Sequence, residues 1–514
     1  MATTSKRRNK TSRSNTNKKN ITKKKSNNSK NKSRKKSNSK KIIIASIVSI
    51  SIIVLAVLLI LFINRDNSDP VNNTIDYNKS NINVLLTNGD SKTWDSIVIS
   101  CDKGMTWNEN GAGHSATNGE EITFSSQRPT GTVIEIFPND VNGRFVLKGN
   151  SKKGDSYPGR IQLHYTSQGL QVTNYIPLEE YIKGVICSEM PVNYGLEALK
   201  AQAICARSYV LCRNGKLAYE EAQADVDDTV SFQVYGEKLA SGDAITAVDE
   251  TSGMVVYTPD HEIANTLFYS TSCGYTQTQK SEEFPYLTRK YVSLENKDPI
   301  KEMGASVNNN IIDKDDNFEK AFAEYIKQPD DKALENSDPY FRWDVVVDIK
   351  ANRDKVINSI IDIYNSSNGK KVQVDSRLAS KALNQSTNTL KKDGFGEYRN
   401  MEVLKRSSGG AITGLSMEFA NGCAIINDEL AIRRILGQAA KTAKMADGSS
   451  KNVTTLFSSA FTFVANENGA HLYGGGFGHG CGMSQDAARR MSDAGWNCNQ
   501  IIQFFYEGCS VGKL

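Results

Sequence analysis

Histidine is scarce in this chain: five in 514 residues, at positions 114, 164, 261, 471 and 479. Nine cysteines are present, yet no two form C-x-x-C and none has zinc-finger spacing with a histidine. A structural zinc site of the usual kind is thereby excluded. Ser272 does not sit in a G-x-S-x-G elbow, and no aspartate is placed beside it, which argues against a serine hydrolase. The glycine-rich stretch near the C-terminal end has no G-x-G-x-x-G frame, so it is not read as a dinucleotide loop. The first 41 residues hold no acidic side chain at all.

What those 41 residues do hold is 17 of the 63 Lys and Arg. The rest of the chain carries 46 basic against 57 acidic side chains, which excludes a basic nucleic-acid-binding body. Residues 1–41 cannot bury apolar area and are expected to be a disordered basic cytoplasmic tail that meets anionic lipid, not nucleic acid. Residues 42–63 are uncharged and contain only three serines. At about 1.5 Å per residue they would span roughly 33 Å as a helix, the length of a single transmembrane anchor. The basic block on their N-terminal side places that side in the cytoplasm, and hence residues 64–514 outside it, at the cell membrane. Residues 64–80 read as a polar linker, and 81–514 as the ectodomain.

All nine cysteines lie in that ectodomain, and the odd number leaves at least one unpaired. Cys205 and Cys212, on one predicted helix, would be about 10.5 Å apart, beyond disulfide reach. From Asn81 to about Pro177 the pattern is of short strands between Gly, Asn and Asp turns. Glu179–Val185 reads as a short helix, and Tyr194–Arg213 as a longer one with an apolar stripe through Leu199, Ala203, Ala206 and Val210. Gly253–Gln279 is again strand-like. Residues about 283–395 contain two amphipathic helices and read as an insertion packed outside. The expected fold class is α+β: mixed β-strands around a central helix, preceded by the transmembrane helix and the basic tail.

Three stretches carry groups suited to chemistry. In Cys187-Ser-Glu189-Met-Pro191 a carboxyl group stands between two helices beside apolar Ile186 and Met190. It suits a general acid in partly apolar surroundings, or a residue complementing a helix N-terminus. In Gly474-Gly-Gly-Phe-Gly-His479-Gly-Cys-Gly-Met-Ser484-Gln485 the glycines let a backbone approach a ligand, or simply make a tight turn around His479. Tyr269-Ser-Thr-Ser272-Cys-Gly-Tyr275-Thr-Gln277 offers hydroxyls and an aromatic ring, as sugar clefts do, or a plain strand end.

These stretches, in this order, resemble the stage II sporulation protein D / amidase-enhancer (SpoIID/LytB) family. The resemblance is carried by Ser188-Glu-Met-Pro191, Glu197-Ala-Leu-Lys-Ala-Gln-Ala203, Ala206-Arg-Ser-Tyr209, Gln233-Val-Tyr235, Ser272-Cys-Gly-Tyr275, Gly478-His-Gly-Cys-Gly-Met-Ser-Gln485 and Phe504-Phe-Tyr-Glu-Gly508. It covers about residues 80–514, more weakly over 283–395. It implies a peptidoglycan lytic transglycosylase that cuts glycan strands to 1,6-anhydro ends, with Glu189 as acid and then base. It also implies substrate binding by Lys200, Arg207, Ser272, Tyr275, His479, Ser484 and Gln485. The implied partners are peptidoglycan glycan strands, a cell-wall amidase of the stage II sporulation protein P kind, and a membrane partner. Some members bind zinc just before the Q-V-Y string. The cysteine positions there are Val226 and Phe232 in this chain, so no metal and no cofactor is expected. The alternative is a non-catalytic glycan-binding enhancer of a separate amidase.

Overall fold

The computed structural model describes residues 81–514 apart from 150–152, 214, 237–239, 279–282, 296 and 308–310. The first part of this region is organised by a seven-stranded sheet. Its order is Val226–Asp227, Asn81–Leu86, Gly169–Pro177, Arg160–Thr166, Val133–Pro138, Met105–Glu109, Ala112–Ala116. Every pairing is antiparallel except the parallel one between Asn81–Leu86 and Val226–Asp227. Strand alternation sorts the side chains into two faces. Leu86, Val172, Leu163 and Ile134 lie in register on the core side, with Val84, Ile161 and Ile136 a step along. The other face carries Gln171, Thr173, Gln162, Glu135 and Arg160, as expected of an antiparallel sheet with one apolar side.

Against the apolar side lies the helix Leu178–Glu189, followed by a short 3-10 turn, Val192–Tyr194, and the helix Leu196–Leu211. Leu196–Leu211 is rich in Ala and buried almost all round, which is how a helix at the middle of a layer reads. Its small side chains let the helices Leu178–Glu189, Asp243–Glu250, Gln485–Asp493 and Cys498–Phe505 pack on it. The strand Met254–Tyr257 packs on it too, and pairs with Ser510–Lys513.

The later part of the chain has a core of its own. One five-stranded sheet runs Ile311–Asp313, Tyr398–Ser407, Ile412–Phe419, Gly422–Ile426, Val372–Val374. Another runs Ser450–Asn452, Ala440–Met445, Trp343–Asp348, Gly469–Gly474, Phe461–Asn466. The helices Arg353–Ser366 and Glu429–Gly437 contribute Val356, Ile357, Ile360, Ile432 and Ile435 to the core that both sheets share.

This corrects the expected fold class. Strands do not wrap one central helix. The chain is mixed α and β, with many strands in separate sheets and two extended cores. Nor are residues 283–395 packed outside, because Trp343–Asp348 is the middle strand of its sheet. The sequence pattern misleads there because that strand alternates, buried at Trp343, Val345 and Val347, and finds its partners about 100 residues later. Among the described residues no helix is long and apolar enough to cross a membrane. Residues 1–80, with the expected tail, anchor and linker, lie outside the described residues. None of the nine cysteines is joined in a disulfide, and Cys101, Cys187, Cys205, Cys273 and Cys509 are buried.

Candidate active site

Glu189 is the last residue of its helix. Met190 turns extended (φ −130°, ψ 131°), and Pro191 lacks the N–H a further turn would need. The half-buried carboxylate thus sits at a corner between two helices, with Oε1 accepting the Val234 N–H at 2.6 Å. The Q-V-Y string puts that N–H there. Gln233 accepts from the Tyr181 hydroxyl (3.0 Å) and donates to the Ala206 carbonyl (3.3 Å), so it is tied to both helices. The Tyr235 hydroxyl donates to Asn174 Oδ1 at 2.6 Å. The backbone between them has little freedom.

Two phenols share the electrostatic environment of Glu189. Burial pushes the Tyr209 hydroxyl up to about 12, and the charges of Asp227 and Glu189 add to it. Tyr181 is driven well above its usual value by the same causes. Asp227, the second acid beside these rings, is not poised as a base. It accepts from the Tyr219 hydroxyl at 2.6 Å and from the Thr229 N–H and hydroxyl at 2.9 and 2.7 Å.

The other expected site residues are engaged inside the protein. Arg207 is fully buried, donates to both oxygens of Glu179 (2.6 and 3.0 Å) and reaches the Met254 carbonyl (2.9 Å). Lys200 is paired at the surface with Glu197 (2.9 Å) and Glu250 (2.6 Å). These two cations therefore have contrasting weights. Arg207→Leu should lower unfolding free energy by about 3 kcal/mol, because it strands Glu179 and a backbone carbonyl. Lys200→Ala should change it by less than about 1 kcal/mol. Urea titration of the two variants checks this, and equal losses would contradict it.

Tyr275 is buried, with its hydroxyl on Asp298 (2.8 Å) and the Arg289 guanidinium over its ring. His479 Nδ1 accepts the Cys481 N–H at 3.0 Å, which leaves the proton on Nε2, facing the Phe268 backbone. Burial, with the charge of Arg433, brings this imidazole down to about 4, so it is neutral at physiological pH. Gln485 is buried and reaches Gln202 at 3.5 Å. Ser272, Tyr275 and His479 do line one common cavity, but its volume is about 10 Å³, room for about one water and not for a sugar.

Ser272 and Ser484 meet on a group the sequence reading missed. Glu335 is fully buried; its Oε1 accepts from the Ser272 N–H (2.8 Å) and the Ser484 hydroxyl (2.5 Å), and its Oε2 from the Ser272 hydroxyl. Burial pushes this carboxyl up to about 8 against the opposing hydrogen bonds, with nearby Asp486 adding to the rise. Asp486 in turn accepts from the hydroxyls of Tyr194 and Thr271. Tyr194 lies five residues beyond Glu189, so this network braces the corner on which Glu189 stands. The only sequence signal was that Ser484 caps a helix; Glu335 itself lies in a polar turn with no pattern.

The family's zinc position does not fit a metal here. Val226 is core, and Phe232 packs edge-on to Tyr219 under the Arg213 guanidinium. Among the described residues no three His, Cys, Asp or Glu side chains gather in a way that could hold a metal ion.

Residues 166–257, which include Glu179, Glu189, Arg207 and the Q-V-Y string, match the model described as Stage II sporulation protein (SpoIID), and the chain carries that family's domain. Residues 316–482 match a second model, a domain of unknown function (DUF8618). Over 409 residues the chain is 25% identical to stage II sporulation protein D of Bacillus subtilis (strain 168), covering 76% of this chain and 90% of that protein. It is 27% identical over 337 residues to the amidase enhancer of the same organism, covering 64% of this chain but only 40% of that protein. Over 140 residues it is 37% identical to stage II sporulation protein D of Bacillus amyloliquefaciens, covering 24% of this chain and 40% of that protein. The resemblance read from the motifs is to the same family as the model that matches residues 166–257.

Proposed function

We propose that this protein is a peptidoglycan lytic transglycosylase acting at the cell wall outside the cytoplasm, in sporulation or wall remodelling. The observation that carries the reading is the single fixed carboxylate. Glu189 stands half-buried at the corner between two helices and accepts the Val234 N–H there, while the neighbouring Asp227 accepts from Tyr219 and Thr229. Ordinary glycosidases need two carboxyl groups, one of them to activate water or attack the sugar. With one, the sugar's own C6 hydroxyl supplies the nucleophile. Glu189 gives its proton to the glycosidic oxygen as the C1–O bond breaks, and the leaving sugar departs with a 4-hydroxyl. The carboxylate then takes the C6 hydroxyl proton as C1–O6 closes. No water is consumed, and Glu189 ends protonated, ready for another cycle.

Incubating the purified protein with peptide-free glycan strands tests this. The products should carry 1,6-anhydro ends, lighter by one water than reducing ends in the mass spectrum. Reducing ends would mean a hydrolase and overturn the one-carboxylate mechanism. The similarity to an amidase enhancer favours a second reading, in which the chain binds glycan without cutting it and presents it to a separate cell-wall amidase. That reading requires no cleavage here and faster amidase turnover when the two proteins are mixed.

A further inference from the structure

The polar face of the seven-stranded sheet ends in an open cleft of about 420 Å³, within the range of small-molecule sites. Cross-strand register puts its side chains together. Thr106 lies between Phe137 on one side and Ser115 on the other, and Asn108 faces Gly113. Val133, Glu135 and Phe137 follow at alternate positions of their strand, and Val133 is 52% exposed. The apolar part of the cleft is thus Phe137, Val133 and Trp107, and its polar part Thr106, Asn108, Ser115, Glu135 and His114, whose ring stacks on Trp107.

The charge balance narrows the ligand. Glu135 Oε1 is bound by Gln162 Nε2 (2.8 Å) and Arg160 (3.2 Å), so the one acid is neutralised within the sheet. Its Oε2 makes no hydrogen bond among the described residues and is available to accept a hydroxyl. The Arg160 guanidinium is stacked over Tyr175 (4.1 Å) and lies against Phe137 (5.6 Å), so it is not displayed as an anion site. Aromatic rings beside a branched aliphatic side chain, rimmed by hydroxyl, amide and imidazole groups and by an acid already paired with Arg160, suit a pyranose. Its C–H face can lie on Phe137 while its hydroxyls meet the rim.

We propose that this face of Met105–Glu109, Ala112–Ala116 and Val133–Pro138 is a second carbohydrate site, holding one or two sugar rings of a neutral glycan chain. It stands apart from residues 166–257 and does not rest on the role of Glu189. Gly113 makes the proposal testable. A Cβ there would meet only Asn108 Oδ1, at an ordinary 3.5 Å, and its backbone is not in the left-handed region. Gly113→Leu should therefore fill the cleft without disturbing the fold.

The test uses the full chain with Glu189→Gln, so that no ligand is cleaved, and two glycan probes: N-acetylglucosamine oligomers and peptide-free peptidoglycan strands. Calorimetry should give at least a tenfold loss of affinity for Gly113→Leu and for Val133→Glu, the latter on an exposed side chain that folding does not need. Hydrogen exchange should slow at residues 105–116 and 133–138 on adding either probe, and not in the Gly113→Leu protein. Slowing with the uncharged oligomers supports the proposal; slowing with strands only, whose N-acetylmuramic acid units carry lactyl carboxylates, would overturn the neutral-glycan assignment. Unchanged affinity in both variants, or protection confined to residues near 189 and 234, would overturn the second site and leave the Glu189 reading standing. Protection at 105–116 without any near 189 would support the second site and count against Glu189. Binding of stem peptides in place of glycan would also overturn the proposal.

Discussion

Glu189→Gln should lower the yield of anhydro-ended products by about 10²–10⁴-fold, the usual contribution of general acid–base catalysis. The amide has the size of the acid and its oxygen still accepts the Val234 N–H, so the corner between the helices keeps its shape. What is lost is the transferable proton. Melting temperature should barely move, and glycan should still be retained, which separates a chemical defect from a folding one. Asp227→Asn provides the contrast. Its oxygens serve Tyr219 and Thr229, so it should act through stability and not through the pH profile of cleavage. If Glu189→Gln cut strands at the parent rate, the enhancer reading would take over. If Asp227→Asn were equally dead and reducing ends appeared, a two-carboxylate hydrolase would be the answer.

The second large effect concerns Glu335. Removing its carboxyl leaves the Ser272 N–H and hydroxyl buried without their acceptor, at about 1–3 kcal/mol for each unsatisfied group, and leaves the Ser484 hydroxyl only its longer contact to the Ser270 carbonyl (3.2 Å). Glu335→Leu should therefore cost several kcal/mol, roughly, and is expected to unfold a marginal protein. Glu335→Gln should be tolerated, because it copies the neutral acid. The pH dependence follows from the same burial. A carboxyl raised from 4.5 to about 8 on folding holds its proton longer in the native state. Its contribution is therefore complete below pH 4.5 and is lost as pH climbs to about 8. His164 and His479 act in the other direction. Burial lowers both from 6.5 to about 4, so stability falls as pH drops through that window. Two protons on the acid side outweigh one between pH 4.5 and 6.5, so these three groups together put the optimum near pH 6.5. Above it, the loss should approach about 1.4 kcal/mol per pH unit. Denaturant midpoints at pH 5, 6.5 and 8 would show it, and Glu335→Gln should flatten the alkaline limb. A parent curve that rises from pH 6.5 to 8 would contradict the assignment.

The contrast between Glu189 and Glu335 shows what local pattern can carry. Glu189 was legible because its surroundings are local: a helix end, a proline, and a fresh helix within a dozen residues. The long helix was legible too, although it is buried well beyond its apolar stripe, at Gln202, Arg207 and Ser208 as well. The resemblance implies that Arg207 binds substrate, but Glu179 of the preceding helix covers it, and no periodicity within one helix reports that. The family resemblance implies substrate binding by Ser272 and Ser484, whereas both hydroxyls turn inward to Glu335. Glu335 itself stands in Ala333-Leu-Glu335-Asn-Ser-Asp338-Pro, which has the composition of a solvated turn. Its burial is created by residues 63 and 149 positions away. The fold class failed for the same reason, since the partners of Trp343–Asp348 are distant in sequence.

That middle strand has a consequence for the order in which the molecule is completed. Trp343–Asp348 pairs with Ala440–Met445 on one edge and with Gly469–Gly474 on the other. A chain being made from its N-terminal end presents this strand with both edges open until the last 75 residues arrive. Ser484 closes the Glu335 network later still. Contacts of such long range slow folding, and open apolar strand edges pair readily with neighbouring chains. The glutamate corner is local and can form early, but the residues that brace it through Asp486 come almost last. A chain stalled short of residue 440 would hold Glu189 on an unbraced corner beside an uncovered sheet strand, a form open to proteases.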